Sequence, residues 1–419
     1  MKTANSLIRS SRAVLSTLLS ALFSISLLAK IGSYDAALHM AGIEHGFAPR
    51  LSAKRKIPMR SSLPAVLLAA FLFFARGAAA QNVQLALDGA ADLSPVYPTT
   101  KIPANARVFV AIIMFPDQAH HLIDTLMSPV AATGKFTARK QGETQAIAVA
   151  DKSRVLLRYF FESDLPVGKW RLIVTLDDKP YGVTDFDVVP AVAPLKIASP
   201  VALAGSLLPG AEWTSAIQML EEPRPGLKLT PAGVKASADG WLRTTTVRKV
   251  VGTDKDGTRI DNYQNGKLTG SSWNLVTDKG IAISKMVADG QTSSADPPEL
   301  MFASPGAEFH KSWLWHDKKQ PPASGHQFQM WGPLPLKTPN GEASGYVILQ
   351  KIPNESDPSV IDGSTETGVV PGLGVVYIVG IESIAQYQTA TRTESHLTSM
   401  KHGAGTEPEV RKDVGTPSK

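Results

Sequence analysis

The chain has no cysteine. That excludes disulfides, thiolate metal sites, cysteine nucleophiles and lipid attachment through a cysteine. It also lacks a Gly-x-Ser-x-Gly elbow, a phosphate loop ending in Lys-Ser/Thr, a dinucleotide fingerprint and a His-Glu-x-x-His helix. Asp254-Lys255-Asp256-Gly257 has part of a calcium loop. Gly252 stands where the first acidic ligand belongs and Tyr263 where the closing Glu belongs, so the stretch reads as a hairpin turn. No cofactor and no metal are expected. No basic run in 81–419 resembles a phosphate-binding stripe either. Ten of the 43 basic and two of the 37 acidic residues lie in 1–80, leaving 33 basic against 35 acidic beyond it. The surplus of positive charge belongs to the first 80 residues, and a nucleic-acid partner is not expected.

Long apolar runs are scarce, and both lie near the start. The second decides which residues fold. Lys54, Arg55, Lys56 and Arg60 precede an apolar run from Leu63 to Ala75, and Ala78-Ala79-Ala80 closes it. Basic, then apolar, then small is the order of a secretory signal peptide. The run is too short to span a bilayer, which takes about 20 apolar residues. The expected leader is 59–80, cut after Ala80 with Ala78 at the second small position, so that Gln81 begins the mature chain. No stable membrane span remains after cleavage, and the expected location is periplasmic or secreted. Residues 1–58 hold a second apolar run, Ala13 to Ala29, which is redundant for export. They read as an over-extended N-terminus, with a membrane anchor at 13–29 as the rival.

Beyond the leader the chain reads as all-β. In Arg154 to Phe161, Val155, Leu157, Tyr159 and Phe161 share one face, and Arg154 and Arg158 the other. Leu172, Val174 and Leu176 alternate with polar residues up to Asp177-Asp178-Lys179, and Phe186 and Val188 alternate on the return, which is a hairpin. Asp117 to Met127 reads as a short helix, since Ala119, Leu122, Ile123 and Leu126 fall at helical spacing. His120 and Asp124 on it read as a solvated pair rather than metal ligands. The first domain is placed at 81–190. Residues 191–210, with four prolines in 190–210, read as a linker. Residues 211–387 carry turns at Asp256-Gly257, Asn265-Gly266, Asp278-Lys279-Gly280, Asp289-Gly290 and Asn340-Gly341 between short β-rich runs. They predict a larger curved antiparallel sheet or incomplete barrel. Residues 388–419 are polar and aperiodic and read as a disordered tail.

Two resemblances add to this. Asp164-Leu165-Pro166-Val167-Gly168-Lys169-Trp170, with the hairpin that ends in Phe186-Asp187-Val188, resembles the last hairpin of bacterial immunoglobulin-like sandwich domains. Pro209-Gly210-Ala211-Glu212-Trp213, Pro305-Gly306 before Trp313, Thr338-Pro339-Asn340-Gly341-Glu342 and Val370-Pro371-Gly372-Leu373-Gly374-Val375-Val376 resemble the steps of a family of secreted bacterial β domains that includes the TapB-like proteins, over about 200–385. Val369, Val370 and Glu342 depart from its pattern. That resemblance implies an envelope β domain without established catalysis. Independently of it, Gly372 and Gly374 fit positive φ or close backbone approach before a buried strand.

One local cluster stands out. His310, His316 and His326 lie near Trp313, Trp315 and Trp331. Trp313, Trp315, His316 and Trp331 are the candidate ligand-binding residues, as the aromatic rim of a cleft. The competing reading has the tryptophans filling the concave face of the sheet and the histidines at its edge. No catalytic residue is assigned. The sequence supports an exported, non-enzymatic cell-envelope protein that acts by binding or assembly, with an envelope protein or an apolar ligand as partner. Alternatives are a carrier of a lipid or other apolar ligand in a C-terminal β cup, and a hydrolase with a dispersed site.

Overall fold

The computed structural model describes residues 82–115, 121–130, 147–150, 154–197, 199–223, 240–288, 290–319, 325–354, 361–384 and 389–411. The expected leader, with Ala78, Ala80 and Gln81, and residues 1–58 lie outside them.

The chain is all-β, apart from a short 3-10 helix. Nine strands come first: β1 (Val83–Gly89), β2 (Pro95–Pro98), β3 (Lys101–Pro103), β4 (Val108–Met114), β5 (Ile123–Pro129), β6 (Ile147–Ala150), β7 (Arg154–Phe160), β8 (Gly168–Leu176) and β9 (Lys179–Val189). They form a five-stranded sheet, β2-β1-β4-β7-β6, and a four-stranded sheet, β3-β9-β8-β5. Period-two alternation builds the core between them. Leu85 and Leu87, Phe109 and Ile113, Val155 and Tyr159 face Trp170, Leu172 and Phe186 in one cluster. The five-stranded sheet is apolar on its other face too, through Ala86, Val110, Ile112 and Leu156. The hairpin read from 168–188 is β8 and β9, with Asp177 and Asp178 at positive φ in the turn.

The segment read as a helix at 117–127 is a strand from Ile123 onward, paired antiparallel with β8. Residues 116–120, with His120, lie outside the described set. The helical spacing misled because Leu122 and Leu126 are exposed, while Ile123, Thr125 and Met127 make the half-buried face. β-branched Ile123 and Thr125 suit that pleated surface.

The expected linker does more than connect. Asn105 exchanges two hydrogen bonds with the backbone of Val192, which pins it to the sandwich. The 3-10 helix Pro200–Ala204 follows, capped by Ser199, with Leu203 and Leu207 fully buried.

The second body has twelve strands: β10 (Glu212–Pro223), β11 (Leu242–Asp254), β12 (Gly257–Gln264), β13 (Lys267–Thr277), β14 (Gly280–Ala288), β15 (Gln291–Ala303), β16 (His310–Trp315), β17 (His326–Thr338), β18 (Gly341–Pro353), β19 (Ile361–Val370), β20 (Gly374–Ile384) and β21 (Thr389–Lys401). Their order is β15-β14-β13-β12-β11-β10-β21-β20-β19-β18-β17-β16, antiparallel throughout and curved until its two edge strands nearly meet. Neighbouring strands are consecutive in sequence everywhere except at the β10–β21 pair, where the first and last strands of the body join, and the consecutive strands β15 and β16 are the two edges. The 3-10 helix packs on β13 and β14 and also on β19 and β20, which are far apart in the sheet order, so it lies across the barrel as a plug. Gly205 and Gly374 let two backbones touch there. Both have positive φ, and a Cβ on Gly374 would lie 2.6 Å from the Ala204 carbonyl oxygen. This is the close approach that the Pro-Gly-Leu-Gly step of the sequence suggests.

The tail read at 388–419 is a strand for its first part. β21 pairs with both β10 and β20, and the Arg411 amide donates to the Val276 carbonyl. Its inward face is Thr391, Thr393, Ser395 and Leu397. Small hydroxyl side chains fill that face, so the segment shows no apolar periodicity while keeping the β-branched character of a strand.

The two bodies share one continuous apolar cluster. They also share a buried ionic junction. Asp88, at the end of β1, is 1% exposed. Its carboxylate accepts from Arg158 Nη2 (2.8 and 3.0 Å) and the Gly89 amide (2.8 Å) in the sandwich, and from Gln329 Nε2 (2.8 Å) and Lys351 Nζ (3.1 Å) in the barrel. Nearby, the Ala91 amide donates to Ser364 Oγ and Tyr97 Oη to the Pro335 carbonyl.

Candidate functional site

Register decides what the tryptophan–histidine cluster is. Trp313 stands opposite Phe328, Trp315 opposite His326, and His310 opposite Trp331. Alternation then puts Trp313, Trp315 and His326 on one face of the β16–β17 pair and His310 and Trp331 on the other. The four candidate residues do not line one cleft. Trp331 is fully buried on the face turned toward the sandwich, beside Gln329 of the ionic junction and against the His310 ring at 5.2 Å. His316 follows the end of β16, its Nδ1 3.4 Å from the Asp317 carbonyl.

Trp313 and Trp315 face the interior and close the barrel. The Nε1–H of Trp313 donates to the Leu300 carbonyl and that of Trp315 to the Pro297 carbonyl, both at 2.9 Å and both on β15. The Trp313 ring stacks on Phe328, centroids 5.1 Å apart. His326 Nδ1 lies 3.0 Å from Glu299 Oε1, and Gln350 Nε2 donates to the same oxygen at 3.3 Å. These side chains stitch β15 to β16 where the strand-to-strand ladder is interrupted. The histidine reading needs a correction: His326 is buried in this seam and not at an edge, because Glu299 supplies its partner inside. Burial pushes the Glu299 carboxyl above its usual range, against the pull of His326. Trp315→Phe keeps the ring and removes the donor, stranding the Pro297 carbonyl. An expected loss of about 1–3 kcal/mol follows, to be read from urea unfolding curves.

A second place has the geometry of a site. On β10 and β11, Trp213 stands opposite Arg248, and on β11 and β12, Arg248 opposite Asn262. All three point inward, as their neighbours Ile217, Val250 and Ile260 do. The Arg248 guanidinium carbon lies 5.4 Å from the Trp213 ring centroid. The Trp213 indole is anchored by its donation to the Leu373 carbonyl at 2.9 Å. No carboxylate among the described residues pairs with Arg248. Its Nε is covered and without a hydrogen-bond partner, and so are both amide atoms of Asn262. Desolvation alone pulls the Arg248 guanidinium down to about 10. A cavity of about 10 Å³, room for roughly one water, lies beside it among Trp213, Ser215, Thr246, Tyr377 and Ser395. Arg248 and Asn262 are absent from the sequence-based candidates. The available signal is parity: in Thr244, Thr246, Arg248 and Val250 a charge stands on the face of the strand that carries the buried residues.

Among the described residues no group of three metal-ligating side chains converges, and no helix is long and apolar enough to cross a membrane. No family model and no curated protein matches the chain. Solved structures similar to part of it include three from bacteria. One is a protein of Bacteroides fragilis assigned as exported, with a YmcC-like fold, at 13% identity, covering 46% of this chain and 96% of its own, TM-score 0.22. A second, assigned as a lipoprotein of Parabacteroides distasonis, has 12% identity, 49% and 100% coverage, and TM-score 0.23. The third is a β-barrel-like domain of unknown function, DUF1849, from Brucella abortus, at 6% identity, 46% and 97% coverage, TM-score 0.22.

Proposed function

We propose that the chain is an exported, non-enzymatic cell-envelope protein that acts by binding or assembly through its surfaces, with the sandwich, of immunoglobulin-like kind, as interaction module. The observation that carries this is the filled interior of the barrel. Trp213, Trp315, Phe328, Met330 and Ile348 occupy it, the 3-10 helix crosses it, and the cavity beside Arg248 is about 10 Å³. Ligand pockets for drug-sized molecules run to about 300–1,000 Å³, so a lipid does not fit without displacing this core. The buried junction at Asp88 joins sandwich and barrel as one stiff scaffold, which suits presentation of a fixed surface. The leader read at 59–80 and the likeness to the TapB-like secreted domains support the envelope setting.

Native mass spectrometry of protein purified from its own envelope fraction tests the reading. The expected species begins at Gln81 and carries no lipid-sized adduct. A stoichiometric adduct of lipid mass would replace assembly by carriage.

A further inference from the structure

We infer that the seam between β15 and β16 is a latch, shut while Glu299 and His326 hold one proton between them and loosened as pH rises past neutrality. The inference goes beyond the surface-binding reading above and stands or falls separately from it. Every other neighbouring pair of barrel strands is joined by a backbone ladder. β15 and β16 are the two ends of that order, and Pro297 and Pro298 bring no N–H to the β15 edge. Side chains take over there. Trp313 and Trp315 reach across to carbonyls of β15, and Lys311 Nζ donates to the Ser304 carbonyl at 3.1 Å. Two ion pairs also cross. Lys318 and Asp296, 3.0 Å apart, meet outside, where both are exposed. Glu299 and His326, also 3.0 Å apart, meet inside, where both are buried.

Proton counting gives the direction. With one proton the inner pair is neutral overall, whether written as carboxylate and imidazolium or as acid and imidazole. Without it, a carboxylate stays in the seam with donors from an uncharged ring and from Gln350 Nε2, and no cation. The surrounding elements offer no replacement. β14 sets Ile283 opposite Glu299, β16 lays the Trp315 ring against His326 at 5.1 Å, and β18 supplies only the Gln350 amide. Lys318 is held outside by Asp296, and Lys311 by the Ser304 carbonyl. Asp317, after β16, adds negative charge that works against ionisation of Glu299. Burial, helped by Asp317, keeps the Glu299 carboxyl above its usual range against the pull of His326. The contribution of a raised carboxyl is complete at low pH and is lost as pH rises through its native value. In an open, hydrated seam the two side chains are ordinary, and the last proton leaves near about 6.5, the value of a histidine in water. Above that pH closing must take up a proton, so each further unit weakens the latch by up to about tenfold until the closed pair ionises too.

Hydrogen exchange of the purified mature chain, read peptide by peptide from pH 5 to pH 9 as protection factors, tests this. Protection of β15 and β16 should hold level up to about pH 6.5 and then fall, by up to about tenfold per unit, while the β10–β11 ladder keeps its protection. Glu299→Gln keeps the size of the side chain and removes its charge, and leaves His316 and every other titrating group in place. In that variant β15 and β16 should stay protected at high pH. His326→Gln gives a second reading, and carries the test if the Glu299 variant does not fold. With the imidazole gone, the open seam loses its last proton at the ordinary glutamate value of about 4.3, so the fall should begin about two pH units lower. Four results would each overturn the latch: level protection of β15 and β16 throughout, an equal fall in β10 and β11, the same fall in Glu299→Gln, or an unmoved onset in His326→Gln.

Discussion

Asp88→Ala should cost about 3–5 kcal/mol of stability. The carboxylate is the only anion bonded to both Arg158 and Lys351 among the described contacts, and removing it leaves two cations in the interface of the two bodies. Burial pushes both partners toward neutrality. For Asp88 the Lys351 and Arg158 charges outweigh that push, and its carboxyl lies below the usual carboxylate range. Lys351 feels Arg158 as well as Asp88, and burial leaves its ammonium below its usual value. Lys351→Met should therefore cost less than Asp88→Ala, because Arg158 stays paired. The pH sign follows from the depressed carboxyl. Its contribution is fully present above the unfolded value and is lost as pH falls through the lower native one. The gap in urea midpoint between wild type and Asp88→Asn should narrow as pH is lowered from 7 to 3. A constant gap across that range would remove the junction from the account.

Trp331→Ala should cost about 3–5 kcal/mol as well. The side chain is 0% exposed between barrel wall and sandwich, so truncation opens a cavity that both bodies line. Far-UV circular dichroism in urea should show one transition moved to lower denaturant, with no separate early phase, since a single apolar cluster runs through both bodies. A change under 1 kcal/mol would mean the region collapses onto the gap, and that the tryptophan is not what couples them.

How much of this was legible beforehand depended on whether a strand has an apolar side. β7, β8 and β9 were readable because apolar residues alternate with polar ones in them. β21 was not, because threonine and serine make its inner face and lack a hydropathy signal. β5 was not, because Leu122 and Leu126 sit on its outer side at a spacing that imitates a helix. The tryptophan cluster was visible as a composition anomaly. Its role was hidden, because adjacent residues in sequence lie on opposite faces of the strand, and only register tells Trp315 from Trp331. Asp88 was illegible for a different reason: its partners are 70, 241 and 263 residues away.

The strand order has a consequence for how the protein is made. β10 to β15 and β16 to β21 are two hairpin chains of six strands each, and each can grow by local pairing as it leaves the ribosome. Their union waits for the last strand, because β10 finds its outer partner only when β21 arrives, roughly 180 residues later. Contacts of such sequence separation slow the search for the native state.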